Sequence, residues 1–303
     1  VYDELLWGLV KSREQPKPQE FSNAFLSCTT ALHSGAAVDA LAHMVSKLSL
    51  SAWEDQHVAN SLYAWAVLSS LGMASPELNG VASALFREAN TRGPFVFKQQ
   101  EITQLYTAHI EAERVGLQGG GLGTVNGLQQ AAAQEHKQHQ AGLGKRVRQS
   151  GEFAALTQAA AALQQAGYEV EKGAGVGADG FAVDLLVQHE SCPPGVAVDV
   201  PSEGAFFRHP RGQLSGKVAA VHAQIRQRCK LVVLSEKEAR QPDVVVGAVQ
   251  REFAREAGQS GAGSGSSAGV AGSTQPGAAP RKEAPGLLQP KPRPPVPSQG
   301  PRS

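Results

Sequence analysis

The stretch FAVDLLVQHESCPPGVAVDVPSEGAFFRHPRGQLSGKVAAVHAQIRQRCKLVVLS, residues 181–235, decides the reading of the second half of the chain. Three short Val- and Leu-rich runs, FAVDLLVQ (181–188), GVAVDV (195–200) and KLVVLS (230–235), are bounded by Gly, Pro and Ser and read as strands. LSGKVAAVHAQIRQR (214–228) between the last two has the apolar spacing of an amphipathic helix. Working outward, YEVEK (168–172) reads as one more strand, and the Ala- and Gln-rich EFAALTQAAAALQQAG (152–167), ending in Gly, as a helix. PDVVVGAVQREFAREAG (242–258) adds a terminal helix, so residues 151–257 are expected to form an α-β-β-β-α-β unit.

Two carboxylates interrupt these strands. Asp184 in VDLL and Asp199 in AVDV are flanked by apolar residues on both sides. Burying a carboxylate is costly unless it is paired or hydrogen-bonded. Two such insertions in neighbouring strands are consistent with a divalent-cation site or with ordinary alternation that turns both side chains to solvent. Past the second strand, Arg208, His209 and Arg211 collect in the loop before the helix, next to Phe206 and Phe207, and Lys217 opens the helix. Arg forks match phosphate geometry and an exposed Phe stacks on an unpaired base; the competing reading puts both rings in the core and the charges in solvent. Gly175, Gly177 and Gly180 match G-x-G-x-x-G, but a strand follows instead of the helix a dinucleotide site needs, so they read as a turn.

The first half repeats. PKPQEFSNAFLSCTTAL (16–32) aligns with AWEDQHVANSLYAWAVL (52–68), pairing Gln19 with Gln56 and Asn23 with Asn60, and VFKQQEITQLYTAHIEA (96–112) places Gln100 and Gln104 in the same frame. LLWGLV (5–10) echoes LYAWAVL and reads as the end of an earlier copy. Between the windows, Val38, Leu41 and Val45, and again Leu78, Val81 and Leu85, recur at helical spacing. Each repeat is therefore expected to be a helical hairpin whose apolar surface is covered by its neighbours, giving an α-helical solenoid over 1–116.

The rest of the chain bounds the function classes. Residues 117–150 are Gly- and Gln-rich and read as a flexible linker. The Gly-, Ser- and Pro-rich 258–303 reads as a disordered tail. The chain's net charge is +1, yet residues 1–116 carry 8 Lys+Arg against 12 Asp+Glu, while 117–150 carry 4 against 1. Basic charge thus sits in the linker and tail, where it adds sequence-independent affinity for phosphates or simply solvates. Cys28, Cys192 and Cys229 are far apart and make no C-x-x-C pair, and His136 with His139 lacks further ligands at zinc-finger spacing, so no resident metal is expected. No run approaches the roughly 18 apolar residues of a membrane span, and no membrane partner is expected.

Residues 168–240 resemble a RAP domain, a small module of organellar RNA-metabolism proteins. Val183 and Asp184 match its first V-D strand, Asp199 and Val200 its E-V, Phe206 the Phe closing that motif, Lys217 the helix lysine, Val232 and Val233 the last strand, and Glu238 the Glu of E-W. Pro201, Ser202, Glu203, Gly204 and Ala205 stand in place of D-G-P-S-H, and Ala239 in place of Trp. The N-terminal windows resemble octotricopeptide repeats of green-algal chloroplast proteins, in PQEFSNAF and DQHVANSLYAWAVL. Together the resemblances imply a helical solenoid followed by an α/β domain of restriction-endonuclease-like topology. They imply binding to single-stranded organellar RNA, alongside other RNA-processing proteins, in the chloroplast stroma or alternatively the mitochondrial matrix. Gln19, Asn23, Gln56, Asn60, Gln100 and Gln104 are then the base-facing candidates, although an Asn at a fixed repeat position also tethers helices.

The nuclease fold implied by this resemblance would use Asp184 and Asp199 to hold a divalent cation, with a lysine at position 201. That position is Pro201, which supplies no cation and cannot continue a central strand. Lys217 is the remaining candidate for the missing charge. Three readings follow: an RNA-binding protein, a protein-interaction scaffold with an inert RAP-like domain, and a metal-dependent RNA endonuclease.

Overall fold

In the computed structural model, which describes residues 2–12, 16–149, 154–190, 195–202, 205 and 214–260, the three repeat windows each open a helix in the same frame. After α1 (Tyr2–Val10), helix α2 (Pro18–Ala31) pairs with α3 (Ala36–Val45), and α4 (Asp55–Ser70) with α5 (Pro76–Arg92); α6 (Gln99–Val115) opens the third unit. Gln19, Gln56 and Gln100 are the second residues of α2, α4 and α6, and Asn23, Asn60 and Gln104 the sixth. α2, α4 and α6 lie side by side in one layer, and α1, α3 and α5 form a second layer behind them. The residues singled out by periodicity, Val38, Leu41, Val45, Leu78, Val81 and Leu85, are all buried, together with Phe21, Phe25, Trp65 and Phe86. Arg92 ties adjacent units polar-to-polar: its guanidinium donates to Asp55 Oδ1 (2.7 Å), Glu88 Oε1 (2.9 Å) and the Leu50 carbonyl (2.9 Å).

The segment expected to be a flexible linker is helical for most of its length. After turns through residues 116–127, α7 (Leu128–Gln149) packs along α6. Leu128, Ala132 and His136, each four residues apart, are buried on one face. Four-residue spacing stacks side chains along one stripe of a helix, and the Ala- and Gln-rich composition favours helix by propensity. α7 thereby becomes the partner of α6 and also reaches the β-region.

Beyond α8 (Ala154–Gln165) the expected strands form, with one break. β1 (Glu169–Lys172) and β2 (Gly175–Val176) pair antiparallel with β4 (Leu185–Gln188) and β3 (Phe181–Ala182), so FAVDLLVQ is two strands rather than one. Both pairings share one register, and the glycine-rich GVGADG is the hairpin turn between them, closed by Gly180 N–H donating to the Gly177 carbonyl (3.1 Å). Asp184, expected inside a strand, occupies the kink just before β4. β5 (Val196–Asp199) pairs antiparallel with β4, α9 (Gly216–Arg226) crosses over, and β6 (Lys230–Val233) returns parallel to β5, giving the order β1-β4-β5-β6. α10 (Glu236–Ala239) and α11 (Pro242–Ser260) follow. Residues 258–260 of the expected tail thus close α11, and 261–303 lie outside the described residues.

The sheet is covered on both faces, as its near-continuous Val and Leu runs require. Leu185, Val187, Val196 and Val198 face α8 and α11, where they meet Leu156, Leu163, Val249 and Phe253. The alternate residues Leu186 and Ala197 join Ile225 and Cys229 in a core continuous with that of the helical repeats. The physical link is α9, which packs on β6 on one side and on α2 and α4 on the other. Among the described residues, repeats and sheet therefore share one core, although their sequences read as separate units.

At its N-terminal end α9 comes so close to α2 that a Cβ on Gly216 would lie 1.8 Å from the Thr29 carbonyl oxygen. Gly216→Ala should therefore lower stability by about 1–3 kcal/mol through overpacking. Gly80→Ala, in the interior of α5 with open space around its Cβ, should raise it by about 0.5–1 kcal/mol. Urea denaturation of the two variants checks the pair, and equal shifts in the same direction would contradict this packing.

Candidate functional site

Two sites emerge, one on each side of α9. On the sheet side, the β4–β5 register pairs Leu185 with Val198. One step further along the same register sets Asp184 opposite Asp199, and their side chains are hydrogen-bonded to each other. Asp184 Oδ2 also accepts from Val200 N–H (2.7 Å). Asp199 Oδ2 lies 2.6 Å from Nε2 of His222 on α9, whose side chain is 1% exposed. Burial, then the Asp199 charge, pushes the Asp184 carboxyl up to about 7 against the opposing Val200 hydrogen bond. Asp184 accordingly keeps its proton to near neutrality and donates it to Asp199.

The convergence of the two carboxylates anticipated from sequence is present, but its third member is His222, not Lys217. Lys217 points the other way, its Nζ 6.0 Å from the centroid of the Tyr63 ring on α4. Position along α9 explains this, because residues five apart on a helix do not share a face. Both carboxylates are engaged by neighbours, and among the described residues no group of three or more His, Cys, Asp or Glu is arranged to hold a metal ion. His136 and His139 also part company. His136 is packed between Tyr106 and Phe181, where burial pushes its imidazole down to about 4, whereas His139 is exposed.

On the other side of α9, a cleft of about 570 Å³ opens between α4, α6, α7, β3 and α9. Gln100 and Gln104 of α6 line it together with Lys217. Gln104 is oriented by Asn60, whose Oδ1 accepts from its Nε2 (3.0 Å), so Asn60 acts as a tether between repeat helices. Thr103 and Thr107 continue the α6 wall, with His139 and Gln140 of α7 opposite. The Ala182 N–H donates to Gln140 Oε1 (3.0 Å), which fixes α7 to β3. Phe181 forms part of the lining and is held by a clamp. Arg228 lies over its ring (4.6 Å to the centroid), donates to the Gln224 carbonyl (2.7 Å) and pairs with Asp179 (2.5 Å), and the Tyr106 hydroxyl donates to the same carboxylate (3.2 Å). Burial pushes the Asp179 carboxyl up, but the Arg228 and Tyr106 contacts outweigh it and hold it below the usual carboxylate range. Gln224 is 2% exposed, borders the cleft, and its Oε1 meets no donor among the described residues. Among the described residues lining the cleft none is acidic, while Lys217 and His139 are basic.

The remaining sequence candidates scatter. Gln19, Asn23 and Gln56 are exposed outside the cleft. Phe206, Arg208, His209 and Arg211 lie outside the described residues. His222, Gln224 and Arg228 were not singled out from sequence, although their positions on or just after the helix that follows Asp199 offered a signal.

The Asp184 proton has a consequence for stability. A carboxyl whose folded value lies above its unfolded one stabilises the fold fully below the unfolded value, near 3.8, and that contribution is lost as pH rises through about 7. Asp184→Asn keeps a donor toward Asp199 without a titrating group. Between about pH 5 and pH 7 the variant should gain on the unaltered chain by on the order of 1.4 kcal/mol per pH unit. His136, which titrates in both proteins, cancels from this difference. Urea midpoints across that range check it, and a pH-independent difference would refute the shared proton. No protein-family model matches the chain, and no curated protein matches it.

Proposed function

We propose that the chain is a single-stranded RNA-binding protein of organellar RNA metabolism, acting in processing, stabilisation or translation in the chloroplast stroma or alternatively the mitochondrial matrix. In this reading the helical hairpins are a solenoid of the octotricopeptide kind. The sheet with α9 is a RAP-like module of restriction-endonuclease-like topology, and other RNA-processing proteins are its natural company. One observation carries the reading. Gln100 and Gln104, chosen from the repeat frame, and Lys217, chosen from the α/β half, line a single cleft with no acidic residue among its described lining. A carboxamide offers both a donor and an acceptor to a base edge, and a lysine supplies a phosphate counter-charge. The cleft is thus locally suited to a polyanion although residues 1–116 are net acidic.

The scaffold reading also has support. Phe95 (99% exposed), in a short 3-10 turn, and Val125 (101%), in the turns before α7, leave apolar side chains in solvent. The nuclease reading is weakened by the carboxylate geometry. A divalent cation would have to displace the Val200 and His222 contacts, and Lys217 lies on the opposite side of α9.

Fluorescence anisotropy with a labelled single-stranded RNA separates these readings. Lys217→Ala should weaken binding and reduce the slope of log affinity against log salt by about 0.7, and Gln100→Ala with Gln104→Ala should weaken binding at constant slope. RNA affinity unchanged by all three replacements would overturn the proposal.

A further inference from the structure

The basic charge of residues 117–150 is ordered on α7, which gives each cation a definite face. The segment carries 4 Lys+Arg against 1 Asp+Glu. Glu135, its one acid, is engaged by Gln99 of α6, whose Nε2 donates to Glu135 Oε1. Lys137 and Lys145 are exposed and make no ion pair among the described residues. Lys137, Ala141 and Lys145 follow at four-residue steps along one stripe of the helix, each about 6 Å from the next along the axis. Unpaired cations on an ordered surface raise the local potential and attract a polyanion.

This stripe borders a second cavity. A recess of about 290 Å³ lies between α7 and the glycine-rich hairpin of β2 and β3, with Lys137 and Ala141 on one wall and Gly175 and Gly180 on the other. Glycines in such a position let another backbone approach closely. Among the described residues lining the recess none is acidic. It adjoins the cleft, because Gln140 and Ala182 line both. The hydrogen bond from Ala182 N–H to Gln140 Oε1 (3.0 Å) forms the ridge between them. α7 therefore offers His139 to the cleft and Lys137 to the recess, on either side of one ridge. A small anion occupies one of these places only, whereas a continuous polyanion reaches both.

We propose that a single strand bound in the cleft leaves it over the Gln140–Ala182 ridge and continues along α7, where Lys137 and Lys145 counter the phosphates of its next nucleotides. This path rests on the RNA-binding reading above and makes α7 part of the binding surface. It holds the strand by its backbone, so it adds affinity and length to the site without reading sequence.

The experiment titrates the full chain with a labelled U-only single strand of about a dozen nucleotides, long enough to pass beyond the cleft, over a series of salt concentrations. Lys137→Ala and Lys145→Ala should each reduce the slope of log affinity against log salt by about 0.7, and the double variant by about 1.4. Lys47→Ala is the control, since Lys47 is exposed just after α3 in the layer behind α2, α4 and α6, and it should leave the slope in place. All three lysines are exposed, so the variants keep the fold. If Lys137→Ala and Lys145→Ala change the slope no differently from Lys47→Ala while Lys217→Ala still reduces it, the path along α7 is overturned and RNA binding in the cleft stands. No binding of the strand by the unaltered chain would overturn the RNA-binding reading itself, and the path with it.

Discussion

The burial of α9 on both sides is the constraint on which the rest depends. One side of the helix packs on β6 and the other on α2 and α4, with Gly216 pressed against the Thr29 carbonyl and Ile225 and Cys229 inside a core shared with the repeats. Because apolar burial is the dominant favourable term in folding, a helix that contributes to two layers at once couples their stabilities. The same placement creates the cleft, whose walls come from α4, α6 and α7 on one side and from β3 and α9 on the other. It also brings His222 to the end of β5, where Asp199 receives it.

The paired aspartates illustrate how register converts sequence into chemistry. An antiparallel ladder that matches Leu185 with Val198 leaves Asp184 and Asp199 facing one another, and a carboxylate pair in such contact shares a proton or a cation. Here the neighbours are hydrogen-bond partners: Val200 N–H for one carboxyl and His222 for the other. The arrangement fastens the sheet to α9 through polar contacts inside a largely apolar layer. Polar networks of this kind are specific in geometry because each misplaced member leaves a buried group unsatisfied.

Much of this was legible in the sequence. The repeat frame placed Gln19, Gln56 and Gln100 at the same position of three helices, and the Val-rich runs marked the strands. Asp184 and Asp199 stood out because carboxylates rarely enter such runs. The helix α7 was hidden by composition: its buried stripe of Leu128, Ala132 and His136 holds one strongly apolar residue among many Gln and Gly, so periodicity gave no signal while propensity did. The shared core was hidden for a different reason. Periodicity reports that a helix face is buried, not which element covers it, so α9 could be assigned a core-facing stripe but not two partners. Lys217 was placed beside the aspartates by analogy with a nuclease; five residues of helix turn it to the opposite side, toward Tyr63.

Native-state hydrogen exchange on the full chain tests the central claim most directly, by comparing the amides of α4 around Leu62 and Trp65 with those of β5 from Val196 to Val198. If α9 joins repeats and sheet into one cooperative core, both sets exchange only through global unfolding and report the same opening free energy. Exchange of β5 and β6 through a lower-energy opening, with α4 still protected, would show that the sheet unfolds independently and would contradict the account.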